Sequence, residues 1–80
     1  IIFANRSYKI LNIELMRVGA EGAGERAKDM LDISRPDIDF VALGKSMGVD
    51  STRPSTAEEF CAAFERAMRE PGPHLIECLV

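Results

Sequence analysis

The sequence contains no long apolar run and no surplus of basic residues. None of its hydrophobic stretches approaches the ~20 apolar residues that a membrane-spanning helix needs, and Ile1–Ala4 lacks the basic flank of a secretory signal. Acidic residues outnumber basic residues by 13 to 10, which gives a formal net charge of −3. Without a basic cluster, the chain offers no electrostatic footprint for phosphodiester backbones. These absences argue against a membrane partner and against a nucleic-acid partner.

Cysteine and histidine are also scarce. The two cysteines, Cys61 and Cys78, allow at most one disulfide, whereas small secreted scaffolds usually carry several. We therefore expect both to be reduced, semi-buried apolar residues, and we expect a cytoplasmic protein. The single histidine, His74, has no cysteine or aspartate spaced for a metal site or a catalytic triad. We interpret it as structural or solvated.

The chain is short and both of its ends are apolar. Eighty residues support one small core, because a chain of this length buries only about 60% of the surface that it exposes when unfolded. Ile1–Ala4 and Leu75–Val80 are both hydrophobic, whereas independent domains usually have polar, frayed termini. We therefore expect strands at both ends, in a piece of a larger α/β protein.

The first half of the chain predicts a strand, a helix and a loose segment. Ile1–Ala4 is typical of a short buried strand, and apolar residues at helical spacing from Tyr8 to Val18 predict a helix that Gly19 ends. Residues 19–36 are expected to form a long loop with at most one helical turn, near 27–31. The glycines in this loop do not favour a phosphate-binding loop, because they follow a helix rather than a strand.

The second half carries two helices with start signals. Asp39 is expected to cap a helix that reaches Met47, and Thr56 with Glu59 forms a capping box for the helix that follows. Met47 and Met68 fall on the apolar faces of these helices, so we interpret them as core residues. The last helix is predicted to bury Phe60, Ala63, Phe64, Ala67 and Met68.

Two further strands complete the fold class. Residues 49–53 predict a short strand, and His74–Val80 is a nearly continuous apolar run of the kind that is buried on both faces of a sheet. The predicted order, β-α-α-β-α-β, implies parallel pairing through crossover helices. We therefore expect an α/β fold, part of a three-layer sandwich with a mostly parallel sheet.

The turn after the first strand is the best candidate for a binding site. Asn5 and Ser7 lie at the carboxyl end of a predicted strand and just before a helix, where open α/β sheets bind ligands and free N–H groups favour an anion. The Asn5 amide oxygen and a turn carbonyl such as that of Ser7 are hard, neutral donors of the kind that Mg²⁺ accepts. An ordinary strand-to-helix turn accounts for the same residues, so both interpretations stay open on the residues alone.

Ile1–Leu11 resembles the second half of the thiamine-diphosphate motif in the acetolactate synthase and benzoylformate decarboxylase family. In that motif an aliphatic strand ends in an Asn pair, followed by a turn residue and Tyr. Ala4 replaces the first Asn, and Asn5 matches the second. The resemblance continues through 36–43, 48–49, 56–59 and 72–77, so it covers essentially all 80 residues. The resemblance implies that residues 1–80 are the C-terminal half of a diphosphate-binding domain.

The resemblance implies specific roles for four residues. Asn5 and the Ser7 carbonyl would be metal ligands for Mg²⁺, Tyr8 and the helix start would lie against the diphosphate, and Leu11 would face the substrate pocket. Asn5, Ser7 and Tyr8 are thus the expected cofactor-binding residues. No catalytic residue is expected within residues 1–80, because the matching Gly-Asp-Gly segment and the activating glutamate would lie upstream. The loop from Gly19 to about Ser34 would be part of a closing lid.

The resemblance also implies an activity and partners. The parent enzyme would use thiamine diphosphate and Mg²⁺ to decarboxylate 2-oxo acids and to join the products to a second carbonyl. FAD in the parent is left open, as is the choice between a homodimer and a homotetramer. The rest of the parent chain would be an obligatory partner, and the 80 residues alone would be inactive.

Two alternatives remain beside the acetolactate-synthase-like carboligase. Leu11 stands where pyruvate decarboxylases of the family carry Glu and where benzoylformate decarboxylase carries Leu, which favours a benzoylformate-type decarboxylase as the alternative. The Met-Val pair and the Gln-Trp-Gln run of biosynthetic acetolactate synthases are not reproduced by residues 9–15. From a different class, a non-catalytic small α/β interaction module would give the Asn5 turn a purely structural role.

Overall fold

The computed structural model describes residues 1–19 and 24–80, which fall into two units. One unit comprises Ile1–Ala4 with Asp39–Val80, and the other comprises Asn5–Ile38. Along the chain the elements are β1 (Ile2–Ala4), α1 (Lys9–Arg17), α2 (Glu25–Leu31), α3 (Phe40–Ser46), β2 (Asp50–Thr52), α4 (Ala57–Arg69) and β3 (His74–Leu79). No helix of the described residues is long and apolar enough to cross a membrane.

The first unit is built on a parallel sheet in the order β1-β3-β2. β2 pairs with the first half of β3, with Asp50 opposite His74, and β1 pairs with the second half, with Ala4 opposite Leu79. The apolar run at the end of the chain is therefore the central strand, as its composition predicts. Within the described residues β1 is an edge strand.

Helices α3 and α4 cover opposite faces of this sheet. Gly44 of α3 lies so close to β2 and β3 that a Cβ there would meet the Ser51 hydroxyl and come within 3.3 Å of Leu75. His74, the neighbour of Leu75 in β3, lies instead beside Asp50 and Glu70. Glu70 caps the end of α4. Because neighbouring residues of a strand point to opposite faces, the unit has three layers. The α/β class and the parallel sheet expected from the sequence are confirmed.

The buried centre of the unit combines one apolar side chain with two polar ones. Ile76 is 4% exposed, and Ser51 and Glu77 are buried beside it. The Ser51 hydroxyl donates to the Val49 carbonyl at 2.9 Å. Arg53, which follows β2, donates from Nε to Glu77 at 2.8 Å. A buried carboxylate without such a partner would be strongly destabilising, so Arg53 makes Glu77 tolerable at this position.

Arg53 also links the sheet to the start of α3. Its Nη2 donates to Asp39 Oδ1 at 2.6 Å, and the same carboxylate accepts from the Ala42 N–H at 2.9 Å as the helix cap. The Ala42 N–H and then the guanidinium hold the pKa of Asp39 below its usual value. Glu77 and then Asp39 raise the pKa of Arg53. This confirms the predicted Asp39 cap and adds a link that local sequence does not indicate.

The second unit joins the Asn5 turn to the residues after α2. The Tyr8 N–H donates to the Leu31 carbonyl at 2.9 Å, and the Ile33 N–H donates to the Arg6 carbonyl at 3.1 Å. These bonds flank an antiparallel bridge between Ser7 and Asp32. The turn is therefore fixed by a neighbouring segment rather than by its own residues alone.

The helix starts were predicted well, and the loose segment was not. The Thr56 hydroxyl accepts from the Glu59 N–H at 3.1 Å, which confirms the cap of α4. The Glu59 carboxylate, however, accepts from Ser55 rather than completing the capping box with Thr56. Residues 25–31 form the helix α2 instead of a single turn in a loop. The chain therefore has three helices between β1 and β2, where two were expected. Gly22, one of the loop glycines, lies outside the described residues.

The predicted helical core is largely exposed. Met47 and Met68 are 75% and 72% exposed, and Phe64 is 42% exposed. Their interpretation as core residues of this chain was wrong, because a sheet of three short strands covers only part of each helix face. Cys61 is exposed rather than semi-buried, Cys78 is half-buried, and both are free thiols as expected.

Candidate functional site

The turn Asn5–Ser7 follows directly on the last residue of β1. The Asn5 Oδ1 accepts a hydrogen bond from the Ser7 N–H at 3.2 Å, the local bond that makes Asn common in turns. Arg6 between them has φ +56°, in the left-handed region that non-glycine residues seldom adopt. The Asn5 side chain is exposed. Because an amide oxygen has two lone pairs, Oδ1 keeps one for a further partner.

The Ser7 carbonyl is the second available oxygen of the turn. Ser7 donates its N–H to Asn5, and its hydroxyl accepts from Asn12 Nδ2 at 3.4 Å. Within 1–19 and 24–80, nothing donates to its carbonyl oxygen. Asp32 stands opposite Ser7, but its carboxylate accepts from the hydroxyl and N–H of Ser34, and these bonds lower its pKa. The turn thus offers two neutral oxygens.

The start of α1 is open toward solvent. Tyr8 occupies the N-cap and gives no side-chain hydrogen bond to the helix. The Tyr8 N–H donates to the Leu31 carbonyl, and the Tyr8 carbonyl accepts from the N–H groups of Leu11 and Asn12. The N–H groups of Lys9 and Ile10 are thus left without a capping side chain, and such groups at the start of a helix attract anions.

Leu11 lines an apolar groove of about 360 Å³ between α1 and α2. The groove is otherwise lined by Glu14, Leu15, Val18, Ala27, Met30 and Leu31. Leu11 and Met30 are exposed, so the groove is open to solvent. The structure therefore places all four expected site residues on one turn and the first helical turns after it.

The oxygens of the turn fit a hard cation. Asn5 Oδ1 and the Ser7 carbonyl are neutral oxygen donors with free lone pairs, as Mg²⁺ requires, and the uncapped start of α1 suits the anionic groups that accompany such an ion. The turn supplies no carboxylate of its own. A complete octahedral shell therefore needs ligands beyond Asn5 and Ser7.

A second cluster of polar groups was missed by sequence reasoning. At the amino ends of β2 and β3, the side chains of Asp50, Glu70 and His74 each place one ligand atom within 4.8 Å of the others. Arg66 donates to Asp50 at 2.8 Å and to Glu70 at 3.1 Å. We call these four residues the Asp50 cluster. His74 was expected to have no cysteine or aspartate spaced for a metal site, but parallel pairing sets Asp50 directly opposite it.

Asp50 and Arg66 of the Asp50 cluster shift each other's pKa. The hydrogen bond from Arg66 holds the pKa of Asp50 below its usual value, and Asp50 in turn raises the pKa of Arg66. A signal for this cluster was present in the sequence, since Asp50 and His74 both stand at the start of predicted parallel strands. The positions of Arg66 and Glu70 depend on how α4 returns to the sheet.

The chain is similar to known proteins along its whole length. The family described as thiamine pyrophosphate enzyme, C-terminal TPP binding domain, matches residues 1–78. A Mycobacterium tuberculosis protein, IlvX, which carries the provisional name of acetolactate synthase large subunit, is 52% identical over the whole chain. The acetolactate synthase large subunit of Cyanidium caldarium is 35% identical over 61% of the chain. The chain spans 16% and 8% of the lengths of these two relatives. No solved structure shows a significant match.

Proposed function

Because the chain belongs to the family of C-terminal TPP-binding domains of thiamine pyrophosphate enzymes, we propose that it is part of an acetolactate synthase large-subunit-like enzyme acting on 2-oxo acids. The observation that carries this proposal is the identity of 52%, over the entire chain, to a protein that bears that name. The chemistry would be decarboxylation followed by carboligation. Thiamine diphosphate, when bound, supplies the electron sink for that chemistry, and the protein orients it.

Residues 1–80 would occupy a defined part of that enzyme. They would form the C-terminal half of the diphosphate-binding domain, with the remaining domains supplied by the rest of the polypeptide. Two features of the first unit support this place. Phe3 on the edge strand β1 is 69% exposed, and it lines an apolar groove of about 370 Å³ with Phe60 and Cys78. Further chain of the same protein would cover these surfaces.

In this proposal the Asn5–Ser7 turn holds Mg²⁺. Asn5 would contribute its amide oxygen and Ser7 its backbone carbonyl, with the missing carboxylate coming from elsewhere in the protein. The Ser7 N–H fixes the Asn5 side chain, so one ligand is oriented before the ion arrives. Such preorganisation lowers the entropic cost of binding.

The start of α1 would bind the diphosphate. The N–H groups of Lys9 and Ile10 lack a capping side chain, and Tyr8 exposes about half of its surface beside them. The partial positive charge at this helix end favours an anion. Lys9 adds a full positive charge one residue into the helix. The turn and the helix start would therefore act together on the ion and the phosphates.

Leu11 would help to select the substrate. It lies three residues after Tyr8 and lines the groove between α1 and α2. Apolar residues at this position favour a 2-oxo acid with an apolar side chain, since the size of a pocket sets such discrimination. The same residue supports the second candidate function, a benzoylformate-type decarboxylase. Under either proposal the enzyme would be cytoplasmic and would form a homodimer or a homotetramer. It could contain FAD or lack it.

Turnover of 2-oxo acids by the intact protein tests the proposal. With thiamine diphosphate and Mg²⁺, an acetolactate-synthase-like enzyme should convert two pyruvate molecules into a carboligated acid, whereas a benzoylformate-type enzyme should release an aldehyde from an aromatic 2-oxo acid. Product identification by mass spectrometry separates the two. Absence of turnover with every 2-oxo acid, together with absence of cofactor binding, would leave the interaction module as the better account.

The Leu11 assignment has its own test within the same assay. Leu11→Ala should change the ratio of kcat/KM between pyruvate and benzoylformate by about 10-fold, because one pocket side chain is typically worth that much discrimination. Ile10→Ala is the matched control: it removes an exposed apolar side chain from the same helix outside the groove. Equal effects of the two substitutions would contradict a pocket role for Leu11.

A further inference from the structure

The Asp50 cluster contains a histidine that the fold leaves without a hydrogen-bond partner. The His74 side chain is 9% exposed, and in the described part of the chain neither ring nitrogen has a partner. Buried polar atoms are normally satisfied. The exception here faces two carboxylates, which makes a missing ligand the natural explanation.

The spacing of the cluster suits a metal ion. His74 Nδ1 lies 3.8 Å from Asp50 Oδ2, which is too long for a hydrogen bond. Two ligand atoms that each lie about 2.1 Å from one ion are at most roughly 4.2 Å apart, so these two atoms can share an ion. One oxygen of the Glu70 carboxylate lies within 4.8 Å of a ligand atom of each of these two residues, so Glu70 is the candidate third ligand.

Arg66 supplies the positive charge that now contacts the two carboxylates. Its Nη1 donates to both Asp50 and Glu70, so a single positive group keeps the two carboxylates together. It does not hydrogen-bond to His74. A divalent ion would replace that positive charge and would also take the lone pair of one imidazole nitrogen, which Arg66 leaves without a partner.

We propose that Asp50, Glu70 and His74 form a divalent-cation site in which the ion displaces the Arg66 guanidinium. One imidazole nitrogen and two carboxylates suit a borderline ion such as Zn²⁺ better than Mg²⁺, which takes oxygen ligands. The imidazole would bind through Nδ1, the nitrogen that lies 3.8 Å from Asp50 Oδ2. Solvent completes the coordination, since Asp50 and Glu70 are exposed. The site lies at the amino ends of β2 and β3 and is independent of the function proposed above.

Zinc titration of the intact, metal-free protein tests this site. The titration is done without thiamine diphosphate and in competition with a chromophoric chelator. The wild type should bind one more Zn²⁺ per chain than His74→Gln. Arg66→Gln should bind that ion at least 10-fold more tightly, because the carboxylates no longer have a competing cation. Asp50→Asn should also lose the ion. Because Asp50 is exposed, this variant tests the site even if His74→Gln fails to fold.

Glu65→Gln is the matched control, since it removes an exposed carboxylate from the same helix outside the cluster. It should bind Zn²⁺ as the wild type does. The site is overturned if His74→Gln and Asp50→Asn retain the wild-type stoichiometry, or if Glu65→Gln loses as much binding as they do. Unchanged affinity in Arg66→Gln would overturn the displacement of the guanidinium.

Discussion

At the scale of single residues, the side chain of Asn5 bears most directly on the proposed function. Asn5→Ala removes one of two neutral oxygens and also the acceptor that fixes the turn through the Ser7 N–H. We expect the affinity of the intact protein for thiamine diphosphate, measured by fluorescence titration at fixed Mg²⁺, to fall roughly 10–100-fold, the range seen when support of a metal site is lost.

Two variants serve as controls for Asn5→Ala. Asn5→Asp keeps an oxygen at the same place and should retain most of the cofactor affinity. Asn12→Ala removes the bond to the Ser7 hydroxyl but leaves both proposed ligands, so it should bind the cofactor like the wild type. Unchanged affinity in Asn5→Ala would refute the ligand assignment.

The residues of the turn and of the Asp50 cluster differ in how far sequence could reveal them. Asn5, Ser7 and Tyr8 are neighbours in the chain, so their approach needs only a turn, and a motif can record it. Asp50 and His74 meet only because β2 and β3 pair in parallel. Arg66 and Glu70 join them through the path of α4, which no local pattern specifies.

At the scale of elements, the close contact of α3 with the sheet depends on Gly44. A methyl group at this position would collide with the Ser51 hydroxyl, which is buried and bonded to the Val49 carbonyl. We expect Gly44→Ala to lower the free energy of unfolding by about 1–3 kcal/mol, the usual cost of overpacking, in urea denaturation. The gain in helix propensity from alanine, about 1 kcal/mol, offsets only part of this.

Gly24→Ala is the control for Gly44→Ala, because an added Cβ there meets nothing within 4 Å. It should cost clearly less than Gly44→Ala, because only the preference of an N-cap for glycine over alanine is lost. Adding Ser51→Ala to Gly44→Ala removes the colliding hydroxyl and should restore part of the lost stability. Equal stability of Gly44→Ala and the wild type would mean that α3 can move away from the sheet at little cost.

The start of α4 depends on the hydroxyl of Thr56. Thr56→Ala removes the acceptor for the Glu59 N–H, and we expect a loss of about 1 kcal/mol in the free energy of unfolding. Thr56→Ser keeps the hydroxyl and should be close to the wild type. If both variants lose the same amount, packing of the threonine methyl group would explain the effect instead of the cap.

The elements with capping signals were predictable, and those without them were not. Asp39 and Thr56 each bond to an N–H three residues ahead, an arrangement that the sequence records directly. Helix α2 lacks such a signal: Gly24 stands at its N-cap without a side-chain bond. Its end is held by the Ser7–Asp32 bridge, which is a tertiary contact. The glycines before this segment and the missing capping signal suggested a loop, although most of residues 25–31 are good helix formers.

At the scale of the whole molecule, apolar burial is slight and ionic contacts are many. Ile76 is the one large hydrophobic residue of the described chain that is buried, at 4% exposure. Arg53 and Arg66 each bridge two carboxylates and connect helices to the sheet. Stability should consequently depend on the ionisation of carboxylates more than it does in a protein with a large core.

Acid should therefore destabilise the protein, and Asp39 allows the effect to be isolated. The Ala42 N–H and Arg53 lower the pKa of Asp39 in the folded state, so its contribution is fully present above the unfolded pKa of about 4 and is lost as pH falls through the lower folded value. Asp39→Asn keeps a good helix cap but cannot ionise. It should be less stable than the wild type near neutral pH, and the difference should shrink as pH falls below about 4 and vanish once pH is below the folded pKa of Asp39.

Asp39→Ala distinguishes the charge of Asp39 from its cap, because alanine provides neither. Its deficit relative to Asp39→Asn should persist at every pH, whereas the deficit of Asp39→Asn relative to the wild type should disappear in acid. Urea denaturation across this pH range measures both differences. A constant gap between the wild type and Asp39→Asn would show that the Arg53 link contributes through packing, and the ionic account of how α3 is held to the sheet would then be wrong.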